Sequence, residues 1–159
     1  MKKSIIAAAA VALLSVAGSC FAASVDDLQI QRNNGQNINL NYNSIIRYRD
    51  AMYRYNYQIQ EVATDNNSYG ATWGLYDRAR NLLYSIQATK RNYNYEFGND
   101  FSSPSNTLRR LFELEEIRIG AMVDGIYARL QGRDPMPYFR RGTSAAYEFD
   151  DLLERFQRM

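Results

Sequence analysis

The sequence contains no histidine, a single cysteine, three prolines and one tryptophan in 159 residues. Without histidine, a His-ligated zinc site, a His-based catalytic triad and a Glu-x-x-His di-iron bundle are all excluded. One cysteine permits no intrachain disulfide and no Cys-cluster metal site. A Gly-rich phosphate cradle, a Gly-x-Ser-x-Gly nucleophile elbow and an EF-hand are also absent. The nearest approach to a calcium loop begins at Asp65, and there Tyr69 and Tyr76 stand where oxygen ligands from Asp, Asn or Glu are required. No metal and no cofactor are expected.

What is present suits one folded domain. The composition is 46% hydrophobic and 13% aromatic, with 13 tyrosines, which is too apolar for a disordered chain. Lys2 and Lys3 precede Ile5–Val16, a largely apolar run of twelve residues without charge, and small residues follow before Asp26 and Asp27. That order is a secretory signal peptide, and the run is short for a membrane span. Cleavage after Ala22 is expected, because small residues at Cys20 and Ala22 occupy the two positions a signal peptidase reads. The stretch Val16-Ala17-Gly18-Ser19-Cys20 also resembles the lipobox of bacterial lipoproteins, with Ala17 where leucine is usual. That resemblance implies the alternative, lipidation of Cys20.

Loss of residues 1–22 would remove Lys2 and Lys3 and no acid, leaving 17 bases against 17 acids. A neutral mature chain is a poor match to bulk nucleic-acid binding, which needs many uncompensated phosphate contacts. The remaining bases are 16 arginines and Lys90.

The mature chain divides into an Asn/Gln-rich arm or tether, 23–43, and a helical domain, 44–159. In the arm Ile38, Leu40 and Tyr42 alternate with asparagines at the period of a strand. Ser44 is placed to cap a first helix carrying Ile45, Tyr48, Met52, Tyr55, Ile59 and Val62. Tyr53, Tyr55, Tyr57 and Ile59 also alternate like a strand, but the helical pattern runs over eighteen residues and the alternation over seven. Asp65–Gly70 reads as a loop. A second helix after Thr72 buries Leu75, Ala79, Leu82, Ile86, Tyr93 and Phe97, and Gly98 offers a left-handed ending.

A third helix runs from Ser105 or Asn106 to Gln131, stopped by Gly132. Its main stripe is Leu108, Leu111, Phe112, Ile119, Met122, Val123, Ile126 and Leu130, and a narrower one holds Leu114, Ile117, Ala121 and Ala128. A helix apolar on two sides is central in a bundle or carries a homo-oligomer seam; the central position is preferred. A last helix from about Ser144 has Glu148, Asp150 and Asp151 near its start and buries Phe149, Leu152, Leu153, Phe156 and Met159. The fold class expected is all-α, a four-helix bundle-like single domain, with connections of about seven to twelve residues.

Three places are candidates for function. Counted at about 100° per residue, Glu115 falls inside the main apolar stripe. A carboxylate there needs a partner, such as Arg118 one turn away, or a raised pKa suited to a general acid. On the first helix Tyr53 and Tyr57 flank the core stripe, with Arg54 beyond, and tyrosine with arginine is the composition of interface hot spots. The segment Gly132–Gly142 reads as a loop stiffened by Pro135 and Pro137 that presents Arg133, Tyr138, Phe139, Arg140 and Arg141 to a partner or an anion.

The leading expectation is a non-enzymatic interaction protein of the bacterial envelope, periplasmic or secreted, or held at the outer membrane if Cys20 is lipidated. Its partner would be an envelope or extracellular protein. The alternatives are a hydrolase of envelope polymers using Glu115 or Glu61, and an anion or lipid-headgroup binder using Arg133, Arg140 and Arg141.

Overall fold

The computed structural model describes residues 38–158, with side chains from Asn43 onward; the expected signal peptide, Cys20, most of the arm and Met159 lie outside the described residues. Four helices follow in order: α1 (Ile38–Tyr69), α2 (Trp73–Phe97), α3 (Ser103–Leu130) and α4 (Met136–Gln157). The fold is an all-α helical bundle, with no strand among the described residues. α3 packs against each of the other three, and α4 rests chiefly on α3. The central position of α3 accounts for burial of Leu114, Ala121 and Ala128 on its narrower stripe, whereas Ile117 is exposed.

α1 is longer at both ends than its apolar stripe. Ile38–Asn43, assigned to the arm by its alternation, is helical, so Ser44 is not a cap. Extending an existing helix adds one hydrogen bond per residue, whereas a lone strand has no partner. Asp65–Tyr69, read as loop, is the last turn of the same helix. Asp65 reaches Arg78 of α2 at 2.7 Å, and Asn66 is buried with its Oδ1 accepting from Arg129 Nη1 at 3.4 Å. Tertiary partners thus hold a polar turn that local propensity would release. Gly70, at φ +77°, makes the reversal and donates its N–H to the Asn66 carbonyl.

The expected stripe of α2 is buried in full, and the Thr72 side chain caps the helix by accepting from the Leu75 amide at 3.1 Å. Gly98 is right-handed, at φ −58°, rather than left-handed. Here Arg109 Nη2 donates to the Phe97 carbonyl at 2.9 Å, so a terminal acceptor is satisfied from α3 without the glycine cap.

α3 starts two residues before the expected Ser105, with Pro104 in its first turn, where a missing N–H costs nothing. It ends at Gly132, φ +68°, where the Gly132 amide donates to the Arg129 carbonyl and the Arg133 amide to the Ala128 carbonyl. α4 begins at Met136, not Ser144, and this overturns the loop reading of Gly132–Gly142. Asp134 Oδ1 accepts from the Met136 amide at 3.0 Å, and Pro137 sits in the first turn, so these residues start a helix instead of stiffening a loop.

The links are accordingly short, at 70–72, 98–102 and 131–135. Glu148, Asp150 and Asp151 lie in the body of α4 and not at its start: Glu148 Oε1 pairs with Arg110 of α3 at 2.7 Å, and Asp151 pairs with Arg155 one turn on.

The core is one cluster from all four helices. At one end Tyr48, Tyr93, Phe97 and Phe112 meet edge to face, stacked or tilted, with ring centroids 5.0–6.3 Å apart. Each such ring buried from water contributes about 1.5–3 kcal/mol. α3 and α4 approach closely through small residues: Ala121, Gly125 and Ala128 on one, Gly142, Ala145 and Ala146 on the other, all buried.

Candidate functional site

Glu115 lies on α3 with no solvent exposure, and neither carboxylate oxygen meets a donor in hydrogen-bonding geometry. Burial pushes its carboxyl well above the ordinary carboxylate range; Arg118 and, more weakly, the Asn56 backbone pull the other way. Arg118 is itself buried. Its Nη1 donates to Asn56 Oδ1 of α1 at 2.7 Å, and its guanidinium lies 4.7 Å from the Phe149 ring of α4. Burial lowers the Arg118 pKa, against the charges of Glu115 and of Asp150 on α4. Asp150 is raised by its own burial, with Arg118 opposing. No ion pair joins Arg118 to Glu115 or Asp150 among the described residues, and Arg118 Nε is buried without a hydrogen-bond partner, so its charge acts on both carboxyls without direct contact where α1, α3 and α4 meet. Arg118 ties three helices together through Asn56 and Phe149; Glu115 is sealed from solvent, whereas Asp150 is half-buried.

Arg49, at the edge of the α1 stripe, is buried and turns to Asp50, whose Oδ1 accepts from Nε and Nη2 at 3.2 and 3.0 Å.

The Tyr/Arg flank of α1 is divided. Tyr53 is half-buried, and its hydroxyl accepts from Gln157 Nε2 of α4 at 3.4 Å. Arg54 is exposed, 5.7 Å from the Tyr55 ring, and Tyr57 is 62% exposed. Arg54 lines a cleft of about 420 Å³ between α1 and α2, with Gln58, Glu61, Arg78, Asn81 and Ser85 around it. Tyr57 lines the adjoining hollow with Glu61, Asp65 and Arg78. Glu61 and Asp65 rise from the same helix, and Asp65 is held by Arg78, so two carboxylates do not face one another across this cleft.

The arginines of the 132–142 segment go separate ways. Arg133 lies 5.6 Å from the Tyr127 ring, Arg141 pairs with Asp124 of α3 at 2.7 Å, and Arg140 is exposed without an ion pair among the described residues. Tyr138 is half-buried. Phe139 packs on the core with Arg129 5.5 Å from its ring.

Sequence reasoning missed an exposed aromatic group on α2 and α3. Trp73 meets Tyr76 and Tyr127 edge to face, with centroids 5.8 and 6.2 Å apart. Trp73, Tyr84 and Tyr95 are all exposed along the outer side of α2. The signal was available as an eleven-residue repeat, but it lies opposite the apolar stripe by which the helix was recognised. Among the described residues no group of three His, Cys, Asp or Glu could hold a metal ion, and no helix is long and apolar enough to cross a membrane.

No protein-family model matches this chain, and comparison with curated proteins and with solved structures returns no match.

Proposed function

We propose that this chain is a non-catalytic binding protein of the bacterial envelope, exported by residues 1–22, which docks on another envelope protein through the outer side of α1. The observation that carries the reading is the pairing of an exposed Tyr57 and an exposed Arg54 with the polar cleft beside them. Tyrosine and arginine supply large contact area with polar tips, the usual content of interface hot spots. The cleft rim offers amide, hydroxyl and charged groups to a partner's polar side chains. The hydrolase alternative has less behind it, because Glu115 has no solvent access, a general acid must reach its substrate, and the exposed Glu61 faces no second carboxylate across its cleft.

The test is a photo-crosslinking amino acid placed at position 57 in cells that export the protein. A control probe goes at Tyr147, an exposed tyrosine on α4. A discrete adduct at 57 and not at 147, weakened by Arg54→Ala without change in melting temperature, is the expected result. Absence of any adduct at 57 would overturn the proposal.

A further inference from the structure

The side of α2 turned away from the core has a pattern of its own. Trp73, Asp77, Arg80, Tyr84, Ala88, Arg91 and Tyr95 are separated by 4, 3, 4, 4, 3 and 4 residues, a series symmetrical about Tyr84. At about 100° per residue all seven fall within about 40° of one line, opposite the buried stripe. The eleven-residue step from Trp73 to Tyr84 to Tyr95 is about 3.67 residues per turn, so the line runs nearly straight along the helix. At about 1.5 Å per residue the three aromatic positions stand about 16 Å apart.

These side chains face outward. Trp73, Tyr84 and Tyr95 are 54%, 51% and 92% exposed. Asp77, Arg80 and Arg91 are exposed and Ala88 half-buried. The stripe that α2 buries against the bundle lies on its other side, although Trp73 also meets Tyr127 of α3 edge to face. Arg80 is already ordered: its Nε donates to the Tyr84 hydroxyl at 2.9 Å, and its guanidinium lies 5.4 Å from that ring. Asp77 and Arg91 form no ion pair among the described residues. Arg91 does influence Glu116, but Glu116 is bonded to Lys90 and Gln87.

We infer that this face pairs with the same face of a second copy of this chain, α2 against α2, antiparallel, about a two-fold axis at Tyr84. In that arrangement a residue at a given distance before Tyr84 meets the residue at the same distance after it. Trp73 then meets Tyr95 of the partner subunit, and Tyr84 meets Tyr84 of the partner subunit. Arg80, bonded along its own helix, lies opposite Ala88 of the partner subunit, whose single methyl group leaves the guanidinium room. Asp77 meets Arg91 of the partner subunit, and the axis makes that contact twice. A two-fold interface must be self-complementary, each patch serving as both halves. Aromatic against aromatic, large against small and acid against base at mirrored positions satisfy that requirement, whereas a partner of different sequence would have no use for the symmetry. Neither Arg54 nor Tyr57 belongs to this face, so the pairing is independent of the α1 surface.

The experiment is sedimentation velocity on the purified protein over a concentration series, with Asp77→Arg and Arg91→Asp variants. Both positions are exposed, and circular dichroism checks that the helical signal is kept. Each single variant sets like charges opposite one another twice and should raise the dimer dissociation constant at least about tenfold. An equal mixture of the two variants restores complementary pairs, as does the double variant in one chain, and both should return to near the wild-type constant. A wild-type protein that stays monomeric throughout the series overturns the inference. So does a dimer indifferent to the single variants, or single variants that stay apart when mixed. The rescue on mixing is an outcome that loss of folding would not produce.

Discussion

Phe139 of α4 lies against Gly125 of α3 so closely that a Cβ at position 125 would stand 2.3 Å from its ring carbon Cε1. The absence of a side chain at 125 is what lets the start of α4 seat on α3. Gly125→Ala must displace the ring, and with it the contact to Arg129, at a cost of about 1–3 kcal/mol. Gly120 lies five positions earlier on the same helix, and a Cβ there meets nothing within 4 Å. Gly120→Ala should therefore stabilise by about 0.5–1 kcal/mol, through lower backbone entropy of the unfolded chain. Urea denaturation of the two variants decides the matter; equal shifts of the same sign would refute the packing account.

Glu115 gives stability a pH dependence of definite sign. Burial raises its carboxyl in the folded state, so over the interval between unfolded and folded pKa the native protein holds a proton the unfolded chain has released. The contribution is fully present below the unfolded pKa and is lost as pH rises through the folded one. Asp150 acts in the same direction. Glu116 acts in the opposite one: although burial raises its pKa, bonds from Lys90 and Gln87 bring it below the ordinary range. The difference between wild type and Glu115→Gln isolates position 115. Measured from about pH 4 to about pH 8, wild type should lose stability relative to the variant as pH rises. Parallel curves would show that the buried carboxyl carries no such cost.

Tyr93 anchors the aromatic part of the core. It is fully buried, its hydroxyl donates to the Ser105 carbonyl at 3.0 Å and shares a hydrogen bond with Ser105 Oγ at 2.8 Å, and the ring meets Tyr48, Phe97 and Phe112. Tyr93→Phe keeps the ring contacts and removes the hydroxyl, a loss of about 0.5–1.5 kcal/mol. Because the two side chains share the 2.8 Å hydroxyl–hydroxyl bond, Tyr93→Phe combined with Ser105→Ala should cost less than the two single changes added together. Thermal melts of the four proteins test this; simple additivity would mean that the hydroxyl is held by the Ser105 carbonyl alone and not by the Ser105 side chain.

Legibility differed among the elements for identifiable reasons. The α2 stripe from Leu75 to Phe97 and the main α3 stripe could be read because amphipathic periodicity records burial directly. Asp65–Tyr69 and Met136–Thr143 were misread because their residues are those of turns: Asp, Asn and Ser in the first, proline, glycine and arginine in the second. Each turned out helical through particular partners, Arg78 and Arg129 for one and Asp134 with Phe139 on Gly125 for the other. Of the candidate site residues, Glu115 was rightly placed in the core stripe, but its role depends on Asn56, Arg118, Phe149 and Asp150, which come from three helices.

The sequence by itself determined the all-helical class, the core faces of α2 and α3, the stop at Gly132 and the want of any histidine or disulfide chemistry, since each follows from residue type and local spacing. Tertiary structure alone decided how far α1 runs past its apolar stripe, which arginines are occupied by acids and which stand exposed, and that Glu115 is sealed while Tyr57 is open. Those outcomes depend on which helices become neighbours and at what distance. Backbone hydrogen bonds and apolar spacing act within a few residues, whereas desolvation and ion pairing are set by residues far apart along the chain.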